Sequence, residues 1–161
     1  MGRGFVDDFL KVAADEAKHL ALINRHLHRL GRHYGALPAH SGLWDAARAT
    51  AQNVDARLAV VPMVLVARAL DIIPPPRDRV CATGDARGAK TLKRILDDEI
   101  AHMRYGSMYV IALVESRGES PELLWKMLVA RHFAGAIKPP FNDSTRLSAG
   151  LPRSFYAGVA S

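Results

Sequence analysis

Two stretches decide the fold of this sequence: LDDEIAHMRYG at residues 96–106 and DEAKHLALINRHL at residues 15–27. Each stretch contains a Glu-x-x-His pair inside a run of periodic apolar residues. Residues three apart lie on one face of an α-helix, about 5–6 Å apart at Cβ, so a carboxylate and an imidazole at this spacing can reach one metal ion. Oxygen and nitrogen donors together suit iron or manganese. The four candidate metal ligands are Glu16, His19, Glu99 and His102.

The apolar residues around each pair recur at steps of three and four, which predicts two long helices. These helices should run from about Phe5 to Leu30 and from about Asp85 to Ser116, with both pairs on the buried side. Burying an ionised carboxylate costs several kcal/mol unless something compensates its charge. A metal ion would compensate it, and so would a Glu–Arg or Glu–His pair. The predicted buried stripes are Phe9, Val12, Glu16, His19, Ile23, Leu27 and Leu30 on the first helix, and Leu92, Ile95, Glu99, His102, Gly106, Tyr109 and Leu113 on the other.

The rest of the sequence predicts further helices and no strands. A helix from about Leu43 to Leu70 should be kinked at Pro62, because proline removes a backbone donor and clashes with the preceding turn. Three consecutive prolines in DIIPPPRDRV, residues 71–80, predict a stiff connection that is not helical. A shorter helix is expected in GESPELLWKMLVARHF, residues 118–133, with Ser120 as its N-cap. The chain is therefore predicted to be all-α.

The predicted domain organisation is a helical bundle over residues 1–135 followed by a tail over residues 136–161. Proline and glycine recur throughout this tail, so we expect it to be irregular and to pack on the bundle.

Composition and charge restrict the class of partner. The 161 residues carry a net charge of +6 at pH 7, but the basic residues alternate with acidic ones along the chain. Only NRHLHRLGRHYG, residues 24–35, is locally basic, and there the positive charge complements the C-terminal end of a helix dipole. A nucleic-acid partner is not expected, because phosphate contact calls for a clustered basic surface.

The sequence also predicts a cytoplasmic location. No apolar run approaches the roughly 20 residues of a membrane-spanning helix. The beginning of the chain lacks the apolar core of a signal peptide. The single cysteine, Cys81, cannot form an internal disulfide and is typical of a reducing compartment.

Four longer motifs resemble the ferritin-like proteins of domain of unknown function family 455, and the resemblance extends from about Phe5 to about Pro152. It implies a ferritin-like bundle of antiparallel up-and-down long helices, in which Glu-x-x-His pairs hold metal. It also implies one or two iron or manganese ions at Glu16, His19, Glu99 and His102, but no reaction or substrate. Our leading hypothesis for the function is a metal-binding protein of the di-iron kind that acts as an oxidoreductase or hydroxylase on an unknown small molecule. The motifs are VAADEAKHLALINRHLHRLGRHYGALPAHSGLWDAA, DARLAVVPMVLVARALDIIPP, GDARGAKTLKRILDDEIAHMRYG and RHFAGAIKPPFN.

Two departures from the family pattern predict an incomplete metal site. The family's usual VLEARGLD reads VLVARALD at residues 64–71, so that Val66 replaces a ligand glutamate. The family also carries helices ahead of the position where this chain begins, and one of them supplies a further glutamate. The first helix of the bundle is therefore expected to be missing. The alternative is a non-catalytic, degenerate ferritin-like bundle that serves in assembly or binding.

A bundle without that first helix would leave apolar side chains uncovered, which predicts a partner. We expect either a homodimer or cover by the tail around Phe141 and Phe155. The side chains that need cover are Phe9, Val12, Leu20 and Ile23.

Other polar residues near the pairs are predicted to have structural roles. Asp15 and Asp98 precede the two glutamates and should be either solvated or hydrogen-bond acceptors behind the ligands. The remaining candidates are predicted to lie on a solvent-exposed helix face or to have structural roles: His26, His28, His33, His40, His132, Tyr105, Tyr109 and Cys81.

Overall fold

The computed structural model describes residues 2–159, which form helices and no β-strand. The prediction of an all-α chain is confirmed. Within the described residues, no helix combines the length and the apolar character needed to cross a membrane. The elements are α1 (Arg3–Arg29), α2 (Gly42–Ala49), α3 (Val54–Val60), a π-helical segment (Val61–Val66), α4 (Ala67–Ile72), α5 (Pro74–Ala82), α6 (Ala86–Glu115), α7 (Pro121–His132), α8 (Asp143–Ser148) and α9 (Arg153–Tyr156).

Three predicted helices are confirmed nearly to the residue. Helices α1 and α6 are the two long helices that carry the Glu-x-x-His pairs. Helix α7 begins at Pro121, and the Ser120 side chain accepts a hydrogen bond from the backbone N–H of Leu123, as an N-cap does.

The predicted single helix from Leu43 to Leu70 is wrong, because the chain breaks at residues 50–53. Asn53 accepts a hydrogen bond from the backbone N–H of Ala56 at 2.9 Å and starts a new helix there. The Thr50 hydroxyl donates to the carbonyl oxygen of Ala46 and closes the preceding helix. The distortion expected at Pro62 is present as the π-helical segment, a wider turn that begins where proline has no N–H to donate to the carbonyl oxygen four residues earlier.

The prediction that the three prolines exclude helix is also wrong. Pro74 begins α5, and the prolines occupy its first turn. The N–H groups of a first turn have no acceptor within the helix, so their loss costs nothing there. Cys81 consequently lies in this helix and is exposed.

The chain forms two compact units, and helix α6 contributes to both. The first unit consists of Met1–Ser41 and Ile73–Asp98. In it, His19 lies beside Asp98 and His26 lies beside Asp85, so α1 and the first half of α6 run antiparallel. Gly88 allows this approach, because a Cβ there would lie 2.6 Å from the His26 ring.

The second unit consists of Gly42–Ile72 and Glu99–Ser161, and its core surrounds Trp125. The Trp125 ring is fully buried, and its Nε1–H donates to the carbonyl oxygen of Ala59 at 3.1 Å. Gly106 on α6 packs against the ring of Pro62, where a Cβ would lie only 2.4 Å from the ring carbons. Trp44 on α2 is 67% exposed and takes no part in this core.

The tail after residue 135 was expected to be irregular, but it contains α8 and α9. The Asn142 side chain caps α8 by accepting from the backbone N–H of Thr145. Within the second unit, Phe155 packs on Trp125 and Phe141 packs on Tyr156. Cover of α1 by the tail, one of the two expected routes, stays a prediction.

Candidate metal centre

Helix α1 places Glu16 and His19 one turn apart on its surface. The Nδ1 atom of His19 lies 3.4 Å from Oε2 of Glu16. His19 is buried, but 49% of the Glu16 side chain is exposed. The predicted buried stripe is therefore correct at His19 and wrong at Glu16, because Asp15 rather than Glu16 is buried. Glu16 lies at the edge of that stripe, where its carboxylate remains accessible.

Helix α6 repeats the arrangement with Glu99 and His102, which are both buried. The Nδ1 atom of His102 lies 3.5 Å from Oε2 of Glu99. In both pairs the same ring nitrogen faces the carboxylate three residues earlier. The two pairs therefore share one local geometry, as expected from equal spacing on two regular helices.

Ligand atoms of Glu16, His19 and Glu99 all lie within 4.8 Å of one another. Donor atoms bound to one transition-metal ion lie about 2.0–2.2 Å from it, so two of them are at most about 4.4 Å apart. Small side-chain rotations would bring these three donors onto a common ion. The expected approach of the Glu16 and Glu99 carboxylates is therefore present, whereas His102 does not belong to this group. The part of the chain that the structure describes contains no second cluster of this kind.

Asp98 holds the other side of the His19 ring. Its Oδ2 lies 3.2 Å from Nε2 of His19 and accepts a hydrogen bond from Nε of Arg94 at 2.8 Å. Burial raises the pKa of Asp98, but the hydrogen bonds from Arg94 and His19 outweigh it and the pKa lies below its usual value. An ionised Asp98 favours the tautomer of His19 with a proton on Nε2 and a lone pair on Nδ1. Of the two roles left open for Asp98, that of hydrogen-bond acceptor behind a ligand matches the structure.

Asp15 is buried, so the expectation that it is solvated is wrong. Its carboxylate accepts hydrogen bonds from Nζ of Lys11 at 2.6 Å and Nζ of Lys18 at 2.9 Å. These two lysines hold the pKa of Asp15 well below its usual value against the opposing effect of burial. The carboxylate stays ionised, and its charge is balanced by the lysines.

The other candidates lie apart from this arrangement. His40 and Cys81 are exposed, and His132 is half-buried near the end of α7. His26 was expected on a wet helix face, but its ring is half-buried and its Nε2 lies 3.4 Å from Oδ2 of Asp85. Val66, where the family pattern has a ligand glutamate, is the half-buried last residue of the π-helical segment.

Sequence reasoning missed the Asp98–His19 contact and the lysine pair around Asp15. The lysines could have been found, because Lys11 and Lys18 lie four residues before and three residues after Asp15, on one helix face. The Asp98–His19 contact joins residues 79 positions apart, and no local pattern encodes it.

Comparison with known proteins gives a family without an assigned activity. The family model described as "Protein of unknown function (DUF455)" matches residues 1–157. An uncharacterized protein of Haemophilus influenzae (strain Rd) is 38% identical over 150 residues, which are 93% of this chain and 52% of that protein. The chain thus spans about half the length of this relative. No solved structure matches the chain. The family match over nearly the whole sequence, together with this relative, shows that the chain belongs to the DUF455 family of proteins of unknown function.

Proposed function

We propose that this protein binds one divalent transition-metal ion, iron or manganese, through Glu16, His19 and Glu99. The observation that carries the proposal is the approach of three ligand atoms within 4.8 Å of one another. Two carboxylate oxygens and one imidazole nitrogen form a donor set that these ions accept. Two carboxylates balance the charge of one divalent ion, so the residues present fit a single ion.

We propose His102 as a fourth ligand because of the repeated Glu-x-x-His spacing; it lies outside the cluster of three ligand atoms, and its Nδ1 lies 3.5 Å from Oε2 of Glu99. The Asp98 carboxylate orients His19 by holding Nε2, which leaves Nδ1 to face Glu16. Ligand histidines commonly use one nitrogen for the metal and the other for a carboxylate of this kind. The chain's own residues therefore bind the ion, fix the imidazole and balance the charge.

The activity we assign to this ferritin-like site is that of an oxidoreductase or hydroxylase of an unknown small molecule. The bound metal would supply redox chemistry, and the half-exposed Glu16 leaves one side of the site open to solvent and substrate. We assign the protein to the cytoplasm, since its single exposed cysteine suits a reducing compartment.

A second candidate function is a degenerate ferritin-like bundle that no longer catalyses a reaction. Val66 favours it, because an apolar residue stands where the family pattern supplies a carboxylate. Metal binding without oxygen consumption would favour this candidate, whereas metal-dependent oxygen consumption would exclude it.

The test is elemental analysis of protein purified without chelator, followed by anaerobic titration calorimetry with iron(II) and with manganese(II). We expect about one ion per chain, and loss of binding in Glu99→Gln. The matched control is Glu115→Gln, which removes an exposed carboxylate from the same helix and should bind as the wild type does. Absence of binding in the wild type, or equal binding by Glu99→Gln, would contradict the proposal.

A further inference from the structure

Helix α1 carries a second apolar stripe on the side opposite its buried one. Its members recur at steps of four and three, which is the 3.5-residue repeat of a coiled-coil seam. They are Val6, Leu10, Ala13, Ala17 and Leu20, and we call them the outer seam.

The outer seam is exposed along its whole length. Val6 is 54% exposed, Leu10 63% and Leu20 55%, and both alanines are exposed as well. At 100° per residue, the seam is centred about 145° from the buried line through Val12, Asp15 and His19. A helix that presents apolar residues on two opposite faces uses one for its own core and has the other available for a partner.

The charges of α1 are segregated along its axis. Asp15 is buried and neutralised by Lys11 and Lys18, and Arg29 lies 4.0 Å from Asp85, so these charges are engaged within the chain. Beside the outer seam, Asp7 lies in the first half of α1 and Arg25 lies in the second half. Two parallel copies would set each of these charges against itself, whereas two antiparallel copies would set Asp7 of each near Arg25 of the other.

The seam is symmetric under this reversal. An antiparallel pair of α1 helices centred on residue 15 sets Leu10 of one copy against Leu20 of the other. The same register sets Ala13 against Ala17, so small residues meet where the helices approach most closely. It also sets Val6 against Asn24, the single polar residue that continues the repeat.

The length of α1 is sufficient for a stable contact. Its 27 residues span about 40 Å at 1.5 Å per residue. Two helices of this length, packed side by side, can approach the roughly 1,200 Å² at the lower end of stable interfaces. We propose that the outer seam is an interaction surface for a second copy of this chain, which binds through an antiparallel α1–α1 pair.

The pair would also act on the metal centre. Glu16 lies about 80° from the centre of the outer seam, so a second helix there covers part of its exposed carboxylate. This proposal does not depend on the metal, because the seam residues are distinct from the proposed ligands.

The test is sedimentation velocity of the full chain and of seam variants, with circular dichroism to verify helix content. We expect wild-type protein at twice the chain mass of 17.6 kDa. Leu10→Lys and Leu20→Glu should each give a monomer. The double variant Leu10→Lys/Leu20→Glu should recover the dimer, because only an antiparallel pair sets each lysine against a glutamate.

The control is Leu147→Lys, a substitution at a residue of α8 that is 62% exposed, which should leave the mass unchanged. A monomeric wild type, dimers of undiminished affinity in both single variants, or a double variant that remains monomeric would each overturn the proposal.

Discussion

Nε2 of His19 lies 3.2 Å from Oδ2 of Asp98, so a carboxylate on α6 fixes the imidazole of α1. We expect Asp98→Asn to weaken binding of the proposed metal by roughly 10- to 100-fold, the usual effect of removing such an outer partner. The control is Asp97→Asn, because Asp97 is the neighbouring residue and its carboxylate pairs with Lys93 at the surface. Anaerobic titration calorimetry measures both. Equal affinities in the two variants would show that Asp98 does not orient a metal ligand.

Val66→Glu restores the carboxylate that the family pattern has at this position. One more negative charge lets the site balance more than one divalent ion, whose excess charge is costly in a medium of low dielectric constant. We expect a higher affinity or stoichiometry for iron(II) or manganese(II), and a higher melting temperature only when the metal is present.

The uncharged variant Val66→Gln separates charge from side-chain size. If Val66→Glu and Val66→Gln bind metal equally, position 66 does not face the site and the assignment of the missing ligand is wrong.

Substitution of Gly106 or Gly88 on α6 by alanine should affect the free energy of unfolding to different degrees. Alanine normally stabilises a helix by about 1 kcal/mol relative to glycine. At Gly106 the new Cβ would lie 2.4 Å from the rigid ring of Pro62, and overpacking of this kind costs about 1–3 kcal/mol. At Gly88 the new Cβ would lie 2.6 Å from side-chain atoms of Asp85 and His26 and 2.8 Å from Cγ1 of Val80, and side chains of this kind can shift more readily than a proline ring.

We therefore expect Gly106→Ala to lower the free energy of unfolding more than Gly88→Ala does. Chemical denaturation followed by circular dichroism gives both values. A Gly106→Ala variant at least as stable as Gly88→Ala would contradict the close packing of α6 on the π-helical segment.

The protein should lose stability in alkaline solution because of the raised pKa of Tyr156. Burial, assisted by the hydrogen bond from its hydroxyl to Oδ1 of Asp143, raises the pKa of Tyr156 to about 12 from 10.0. Because the unfolded chain ionises this group first, its stabilising contribution is complete below pH 10 and is lost as the pH rises toward 12.

The unfolding free energy should therefore fall across this range, and it should fall less in Tyr156→Phe. The difference between the tyrosinate absorbance of the wild type and that of Tyr156→Phe should show Tyr156 titrating at about pH 12. If the wild type and Tyr156→Phe lose stability equally, the hydroxyl of Tyr156 does not have the environment described here.

The two long helices and their spacing were predictable, because periodic apolar positions over 27 and 30 residues leave few alternatives to helix. The bounds of α7 followed from Ser120 and Pro121 for a similar reason, since cap chemistry is local. The break at Asn53 was less visible, because a single cap residue inside an apolar run competes with the continuation of the helix.

The sequence predicted which residues form the candidate site, but not which of its carboxylates are buried or which side chain contacts His19. Neighbouring positions on an α-helix point about 100° apart, and Asp15 is buried where Glu16 had been expected to be. Asp15 tolerates burial because Lys11 and Lys18 neutralise it. The spacing of these two lysines along the helix could have been read from the sequence. The partner of His19 depends on the axial alignment of α1 and α6, which only the folded chain determines.

The π-helical segment at Val61–Val66 places one additional residue in a turn that an α-helix would complete without it. Deletion of a single residue in this segment could restore regular helix without rotating α4, because the wide turn is what absorbs the additional residue. Side chains inside the segment, Val66 among them, would then take new directions while the contact of Pro62 with Gly106 stayed in place. A change of chain length by one residue thus becomes an evolutionary route to a new side chain at that position, without any substitution of the amino acid.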